Sequence, residues 1–548
     1  MKHRMAALGC ALLLAVGLAP AANASPDASP DRPEVSVAVR HDVSPPLREL
    51  ALIPRKAVAQ PNRVIDNKVP LDLAQRAKPN PGGPDPVLQT DDGFGETATP
   101  APTLSFEGMS DDDNAAVLGG RVVPPDTNGD VGTTYYVQTI NLMMAVYRKS
   151  DGVKVFGPVA TNSLWAGFGG KCQTDNDGDP IVLYDDAADR WLISQFAVGG
   201  DGHQCVAIST TNDPAGSYHR YDFLVSPGRL NDYPKIGVWP DGYYVTINEF
   251  TSGFQGVVVV ALERDKMLLG QPAQMVKFGP LACGTECPFA VQPVHYDGGL
   301  VPPLGAPAPF IMAWDDETWG SGSLADGYRM WELDVNWASP GSSTFVSIPQ
   351  VNAPEYDSEF CRFNRGCIPQ PKPGEKLDSL GQFTMFRAMY RNFGTHESIV
   401  ISHAVDVNAK SLAGVRWAEV RDNGGGWLLH QTGTFSPNTT HRWLPSIAQD
   451  KQGNIAIGYS VSATNTNPGI RYATRSAGDP LGTMSAEQVL VNGGGFQQSS
   501  SNRWGDYAAM SVDPVDGCTF WFTTEYYSNN GSFDFKTRIG SFKQAGCI

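Results

Sequence analysis

Apolar and polar residues alternate in short runs from Pro124 to the C-terminus, broken by turn residues about every eight to twelve positions, the pattern of an all-β chain. The clearest stretch is NRWGDYAAMSVDPVDGCTFWFTTEYY, from Asn502 to Tyr527. It opens on a charged, aromatic cluster (Arg503, Trp504, Asp506, Tyr507) and passes through a short apolar strand at Ala508 to Val512. An Asp-Pro-Val-Asp-Gly turn follows, then a second strand from Cys518 to Thr524. Weaker copies of the phrase begin at Gly178, Asn231 and His441. A strand–turn–strand unit of this kind cannot bury both its faces alone and stacks against copies of itself.

Strand-opening phrases recur near Asp126, Asp179, Asp232, Pro293, Leu380, Leu444 and Tyr507, mostly at steps of about 55 to 65 residues. The longer step from Pro293 to Leu380 contains the loop 352–376, with Cys361 and Cys367. These phrases predict an all-β fold, a seven-bladed β-propeller over 104–548; six or eight blades and a β-sandwich array are the alternatives. Helical patterning is nearly absent, the stretch from Leu380 to Met389 being the best instance. The residues from Leu104 to Phe106 are expected to add a strand to the main body. In each repeat the first strand is short and small-sided, which suits the crowded centre of a propeller. The charged residues just before these strands, Asp179, Asp232, Arg442 and Asp506, are therefore expected to gather at one mouth of the axial channel.

The N-terminal part has a different texture. Residues 1–24 read as a signal peptide: Lys2 and Arg4, an apolar stretch from Ala6 to Leu18, and a small-residue cleavage site at Ala22-Asn23-Ala24. The segment 25–103 is rich in Pro and Asp and reads as a disordered or loosely attached linker, or as a pro-segment shielding a site. A leader of this kind implies a secreted, extracellular or periplasmic protein. Nine cysteines are present; with Cys10 in the leader, the rest fall into sequence-neighbouring pairs. The expected disulfides are Cys172–Cys205, Cys283–Cys287, Cys361–Cys367 and Cys518–Cys547. The formal charge is −16. Such a chain lacks the basic surface that nucleic acid or anionic lipid would need, and no run after the leader is apolar enough to cross a bilayer.

Several side-chain groups carry candidate chemistry. Asp126, Asn128 and Asp130 stand at alternate positions among glycines, and Asp175, Asp177 and Asp179 repeat the style. Oxygen clusters of this kind suit calcium, although Asx-turns produce the same composition. No phosphate loop, dinucleotide fingerprint or haem motif is present, so no organic cofactor is expected. Arg503-Trp504 and His441-Arg442 combine a guanidinium or imidazole with aromatic neighbours, fit either to grip a saccharide or to lock adjacent blades. Arg387 and Arg391 share a strand face, beside His396-Glu397 and His403.

The stretches GDPIVLYDDAADRW, YRNFGTHES, AGDPLGTM and RWGDYAAMSVDPVDGCTFWFTTEYY resemble secreted bacterial β-propeller proteins over about Asp126 to Ile548. The wider architecture resembles the sialidase-like propeller superfamily. Ser511, Asp513, Gly517, Thr519 and Trp521 follow its Asp-box motif with two extra residues. The resemblance implies a carbohydrate-active enzyme, a glycoside hydrolase or polysaccharide lyase, with its site at the propeller mouth. Asp179, Asp232 and Asp506 are then the candidate acids or bases and Tyr507 the candidate nucleophile. Arg387, Arg391, His441, Arg442, Arg503 and Trp504 are the candidate substrate-binding residues. The alternative is a non-catalytic, calcium-stabilised propeller binding glycan or protein at the cell surface. Either protein is expected to work as a monomer.

Overall fold

A computed structural model describes residues 32–53, 62–64, 83–91, 98–320, 325–372 and 375–548. The expected signal peptide lies outside these residues. Within them the chain is all-β, and no helix is long and apolar enough to cross a membrane.

The body consists of antiparallel four-stranded meanders in series. Their first strands are β1 (Asn128–Val131), β2 (Gly178–Asp185), β3 (Leu230–Trp239), β4 (Gln292–Tyr296), β5 (Ala388–Asn392), β6 (His441–Gln449) and β7 (Ala509–Val512). Each of these strands touches the next in sequence order, and β7 also touches β1. The β4 and β5 strands also pair in parallel, with Val294 opposite Ala388. Most first-strand residues are buried on both faces, as expected of sheets covered on either side by their neighbours.

Each repeat carries the same local device at or ahead of its first strand. Asp126, Asp179, Tyr233, Ala290, Leu380, Leu444 and Asp506 all have positive φ, between 42° and 71°. Side-chain-bearing residues adopt this left-handed backbone rarely, and here it recurs once per repeat. Register shifts at Gly178/Ile181, Asp232/Lys235 and Trp443/Ser446 mark the accompanying bulges. The chain thus kinks as it enters the centre, and the residues around each kink are aimed inward. This is the structural content of the repeated opening phrase.

The last meander is completed by the strand Leu104–Ser110, which pairs with Phe535–Lys543, as the pattern at Leu104 to Phe106 suggests. An early segment is thereby tied to the last strand. The disulfides join the expected pairs, and Cys518–Cys547 fastens the C-terminal tail.

One expectation needs correction. Leu380 to Met389 is not helical; it is irregular chain leading into β5. The longest helix among the described residues is Asp111–Leu118, whose N-terminus is closed by a Ser110/Asp113 capping box. The described parts of 25–103 include short strands. Glu34–Val37 and Arg40–Val43 extend the third and second sheets, and Leu88–Gln89 pairs in parallel with the fifth. Thr99 Oγ1 accepts from the amide and the hydroxyl of Thr474 in the sixth. Exposed sheet edges offer unpaired backbone groups, and these short segments cover them.

Candidate functional site

The leading ends of the first strands hold the densest ionic cluster. Tyr507 donates its hydroxyl to Asp179 Oδ2 and to the Pro234 carbonyl, each at 2.9 Å. Tyr233 Oη donates to the Asp506 carbonyl at 2.8 Å. Arg503 binds Asp506 with both arms and reaches Asp378 Oδ2 at 2.8 Å. Asn141 donates to Asp126 Oδ2 at 2.6 Å and accepts from the Asp179 amide. The Lys235 ammonium lies 3.0 Å from the Tyr233 ring centre and 3.9 Å from that of Tyr507. Asp126, Asp179, Asp232 and Asp506 are all at least 94 % buried, exposing no more than 6 % of their surface.

Burial dominates the electrostatics there. It pushes Asp179 up to about 7, with Asp232 adding to the shift and Lys235 opposing it. It raises Asp126 well above the carboxylate range, reinforced by Asp506 and Asp179. It also drives the Lys235 amine well down, against the pull of the surrounding carboxylates. Lys235 gave no signal in the sequence, where it reads as an ordinary strand lysine.

The structure therefore brings Asp179, Asp232 and Asp506 together at one end, with Asp126, Arg503 and Tyr507. Arg442 does not join them. Its guanidinium grips Glu487 at 2.8 and 2.9 Å and reaches the Thr440 carbonyl, within its own sheet. Trp504 is fully buried, donates to Ser460 Oγ and packs on Trp443 and Tyr527. His441 accepts from the Ala413 amide, and burial lowers it to about 4. His403 is buried among Tyr328 and Tyr356 and lowered to about 3 by burial and Arg416; Glu397 accepts from Tyr390. In these positions His441 and Trp504 join neighbouring sheets, and Arg442 closes its own.

Further along the same strands, Arg387 crosses the centre to Asp130, with Nη1 to Oδ2 at 3.0 Å, and to the Gly129 carbonyl. Both side chains are withdrawn from solvent. Asp130 also accepts from the Tyr184 amide at 2.9 Å. This pair is a cross-link, so Asp130 is engaged by a cation of the protein itself. The rest of the expected calcium ligands are similarly dispersed. Asn128 is fully buried and makes no hydrogen bond among the described residues. Asp175 pairs with Lys171, and Asp177 accepts from the Val198 amide. Among the described residues, the carboxylates close enough to share one cation are Asp315, Glu317 and Asp326. Asp315 and Asp326 there also accept backbone amides from Thr318, Ser358, Asp316 and Tyr356.

The trailing ends of the first strands open into a pocket of about 570 Å³. Four carboxylates line it, Asp186, Asp189, Asp297 and Asp513, together with Arg391, Tyr184 and Tyr296. Asp297 follows β4; its Oδ2 accepts from the Val512 amide at 3.3 Å, and its carbonyl accepts from Arg391. Arg391 spends its other arm on the Gln449 carbonyl. Asp513 is paired with Lys149 at 2.9 Å, and Asp189 accepts from Tyr184. Asp186 is half-buried in the wall and makes no hydrogen bond among the described residues. Gly298 lies against it with φ +71°, where any side chain would run into its carboxylate.

Here too burial raises the carboxyls. Asp186 is held well above its ordinary value by burial, then by Asp297 and Asp130. Asp297 is pushed up to about 7 by burial and Asp130, with Arg391 and Arg387 opposing. Asp186 and Asp297 were visible in the sequence only as turn aspartates. The available signal was positional: an Asp recurs after the first strand at 185–186, 241, 297, 450 and 513.

No family model matches the chain, and no curated protein matches it. Among solved structures, a lectin from Burkholderia pseudomallei is 11% identical, with 77% of this chain and 98% of that one covered and a TM-score of 0.39. A polysaccharide lyase acting as an ulvan lyase is 11% identical over 81% and 97%, at 0.35. The extracellular domains of Drosophila semaphorin 1b are 8% identical over 81% and 87%, at 0.36. Likenesses this distant assign neither family nor activity.

Proposed function

We propose that this chain is a closed seven-bladed propeller, exported from the cell, that binds a non-anionic glycoside in the trailing-end pocket and hydrolyses it. The cyclic contact of first strands supports the closed ring. The observation that carries the activity is that Asp186 and Asp297 line one pocket, both raised by burial. A glycosidase needs one carboxyl that keeps its proton to give to the leaving oxygen, and one that is ionised to act as base or nucleophile. Asp297 ionises through about pH 7, while burial, with Asp297 and Asp130 beside it, favours the protonated form of Asp186. The two titrate as a coupled pair, with Asp186 as the acid. Asp513 is paired with Lys149 and the Arg391 guanidinium is committed to backbone carbonyls, so the lining residues leave no free cation to hold a uronate or a sulfated sugar. Arg391 thus positions Asp297 in this reading and does not hold an acidic substrate.

A second reading, glycan binding without hydrolysis, is favoured by the deep burial of Asp297 and its bond to Val512. The test is a panel of neutral, cationic and anionic glycosides, assayed for binding and for reducing-end release with wild type, Asp186→Asn and Asp297→Asn. Hydrolysis of a neutral substrate, lost in both variants with binding kept, supports the enzyme. Binding without hydrolysis supports the second reading. Hydrolysis untouched by either substitution overturns the assignment of the site.

A further inference from the structure

The pocket is acidic inside and apolar at its lip. Val301 lines it and is 58% exposed, while its neighbours Leu300 and Leu304 are 57% and 107% exposed. On a second lining loop, Pro514 lines the pocket and Val515 next to it is 66% exposed. The first of these loops is braced from behind. Tyr296 Oη donates to the Gly299 carbonyl at 2.9 Å, Asn392 Nδ2 to the Val301 carbonyl at 2.8 Å, and Trp239 Nε1 to the Ala306 carbonyl at 3.1 Å. Its backbone is anchored by donors while its large aliphatic side chains are held out in water. Singly exposed aliphatics are ordinary on protein surfaces, but here they recur on two loops that line one polar cavity.

We infer that the substrate of this pocket is an amphiphilic glycoside, a non-anionic sugar head joined to an apolar aglycone that rests on the rim formed by Leu300, Val301, Leu304 and Val515. The inference rests on the reading of the pocket as a sugar site and adds what lies beyond the scissile bond. The head enters among Asp186, Asp297 and Tyr296, where hydroxyls find acceptors. The stem leaves over the aliphatic side chains, where it removes apolar surface from water on both partners. The same carboxylates disfavour an anionic lipid surface as the occupant of the rim.

The test uses the full-length protein and matched methyl and octyl glucosides and galactosides, below the micelle concentration of the octyl compounds, with affinity read by calorimetry. For whichever head group binds, the octyl glycoside is expected to bind roughly tenfold more tightly than the methyl one. Leu300→Ser/Leu304→Ser is expected to cut that ratio to about twofold or less, leaving methyl-glycoside affinity and Tm unchanged. Equal affinity for the two stems, or a ratio preserved in the double variant, overturns the inference while leaving the sugar site intact. Binding of neither compound with any head group removes the sugar site itself. Binding to phosphatidylcholine vesicles, lost in the double variant without an octyl preference, assigns the rim to a membrane surface and overturns it too.

Discussion

The two ends of the central strand ring are built from the same materials and put them to different use. At the leading end, carboxylates, a guanidinium, an ammonium and two phenols close on one another: Arg503 on Asp506 and Asp378, Tyr507 on Asp179, Tyr233 on the Asp506 carbonyl. At the trailing end Arg391 and Lys149 are also committed, but Asp186 is left facing a pocket without a hydrogen-bond partner among the described residues. Convergence of charged groups on an axis is therefore a poor guide to a reactive site. Buried polar groups in a crowded centre must satisfy one another, and a set that does so completely is a lock. Reactive groups are recognised by what the protein leaves unsatisfied next to open space.

The largest effect that separates the two ends is on stability. Arg503→Ala removes the guanidinium that binds Asp506 and Asp378, of which Asp378 keeps Arg365, and breaking a buried ion pair costs about 3–5 kcal/mol. Chemical denaturation is expected to show a loss of this size. Asp186→Asn removes a carboxyl that burial and its neighbours hold in the neutral form, so the fold keeps or gains stability. Its effect falls on catalysis, where removal of a general acid costs about 10²–10⁴-fold in kcat. A destabilised Asp186→Asn with normal turnover reverses the comparison and makes the trailing end the lock.

Acidity gives a smaller, graded contrast. A carboxyl raised in the folded state from 3.8 to about 7, as for Asp297, keeps its proton between those values while the unfolded chain has lost it. Its contribution to stability is full below pH 3.8, declines as pH rises to about 7, and is constant above. Asp297→Asn removes that decline, so its Tm relative to wild type is expected to rise from pH 4 to pH 7 in calorimetric scans. A constant difference means that Asp297 titrates normally. The activity limb has the opposite direction: hydrolysis gains with pH through about 7 as Asp297 ionises, and the assay needs only buffers from pH 5 to 9.

Much of the architecture was legible because the repeat carries a backbone constraint. The kink at or ahead of each first strand needs a left-handed residue, and Asp179-Pro180, Tyr233-Pro234 and Leu444-Pro445 leave the trace of a proline after it. The same phrase exposed the residues of the leading end, since they sit beside the kink. Burial was not legible there, because Arg503 or Asp506 looks the same in sequence whether it faces a channel or a partner. The trailing-end pocket was hidden for a different reason. Asp186, Asp297 and Asp513 occupy positions where an aspartate ordinarily shapes a turn, and Asp513 does accept from the Val515 and Gly517 region of its own turn. Only the strand ring brings these turns, from separate repeats, to one cavity. Of the expected calcium ligands, Asp126 sits near Asp179 and Asp130 is bound by Arg387.

The smallest effect discriminates most finely between the two ends. Tyr507 was the candidate nucleophile on sequence grounds, and the structure gives its hydroxyl two acceptors, Asp179 Oδ2 and the Pro234 carbonyl. Burial raises its own ionisation well beyond the ordinary phenol, with Asp179 adding to the shift, so it is held as the neutral donor. Tyr507→Phe keeps the ring, which packs on Tyr233 and Phe386, and removes one hydrogen-bond donor from the cluster. The expected cost is about 1 kcal/mol in urea denaturation. Turnover at the trailing-end pocket is expected to be unchanged, because no part of Tyr507 lines it. If Tyr507→Phe instead abolishes hydrolysis while the fold loses no more than this, the chemistry belongs to the leading end, and the bonds around Asp179 are those of a poised site opened by its substrate.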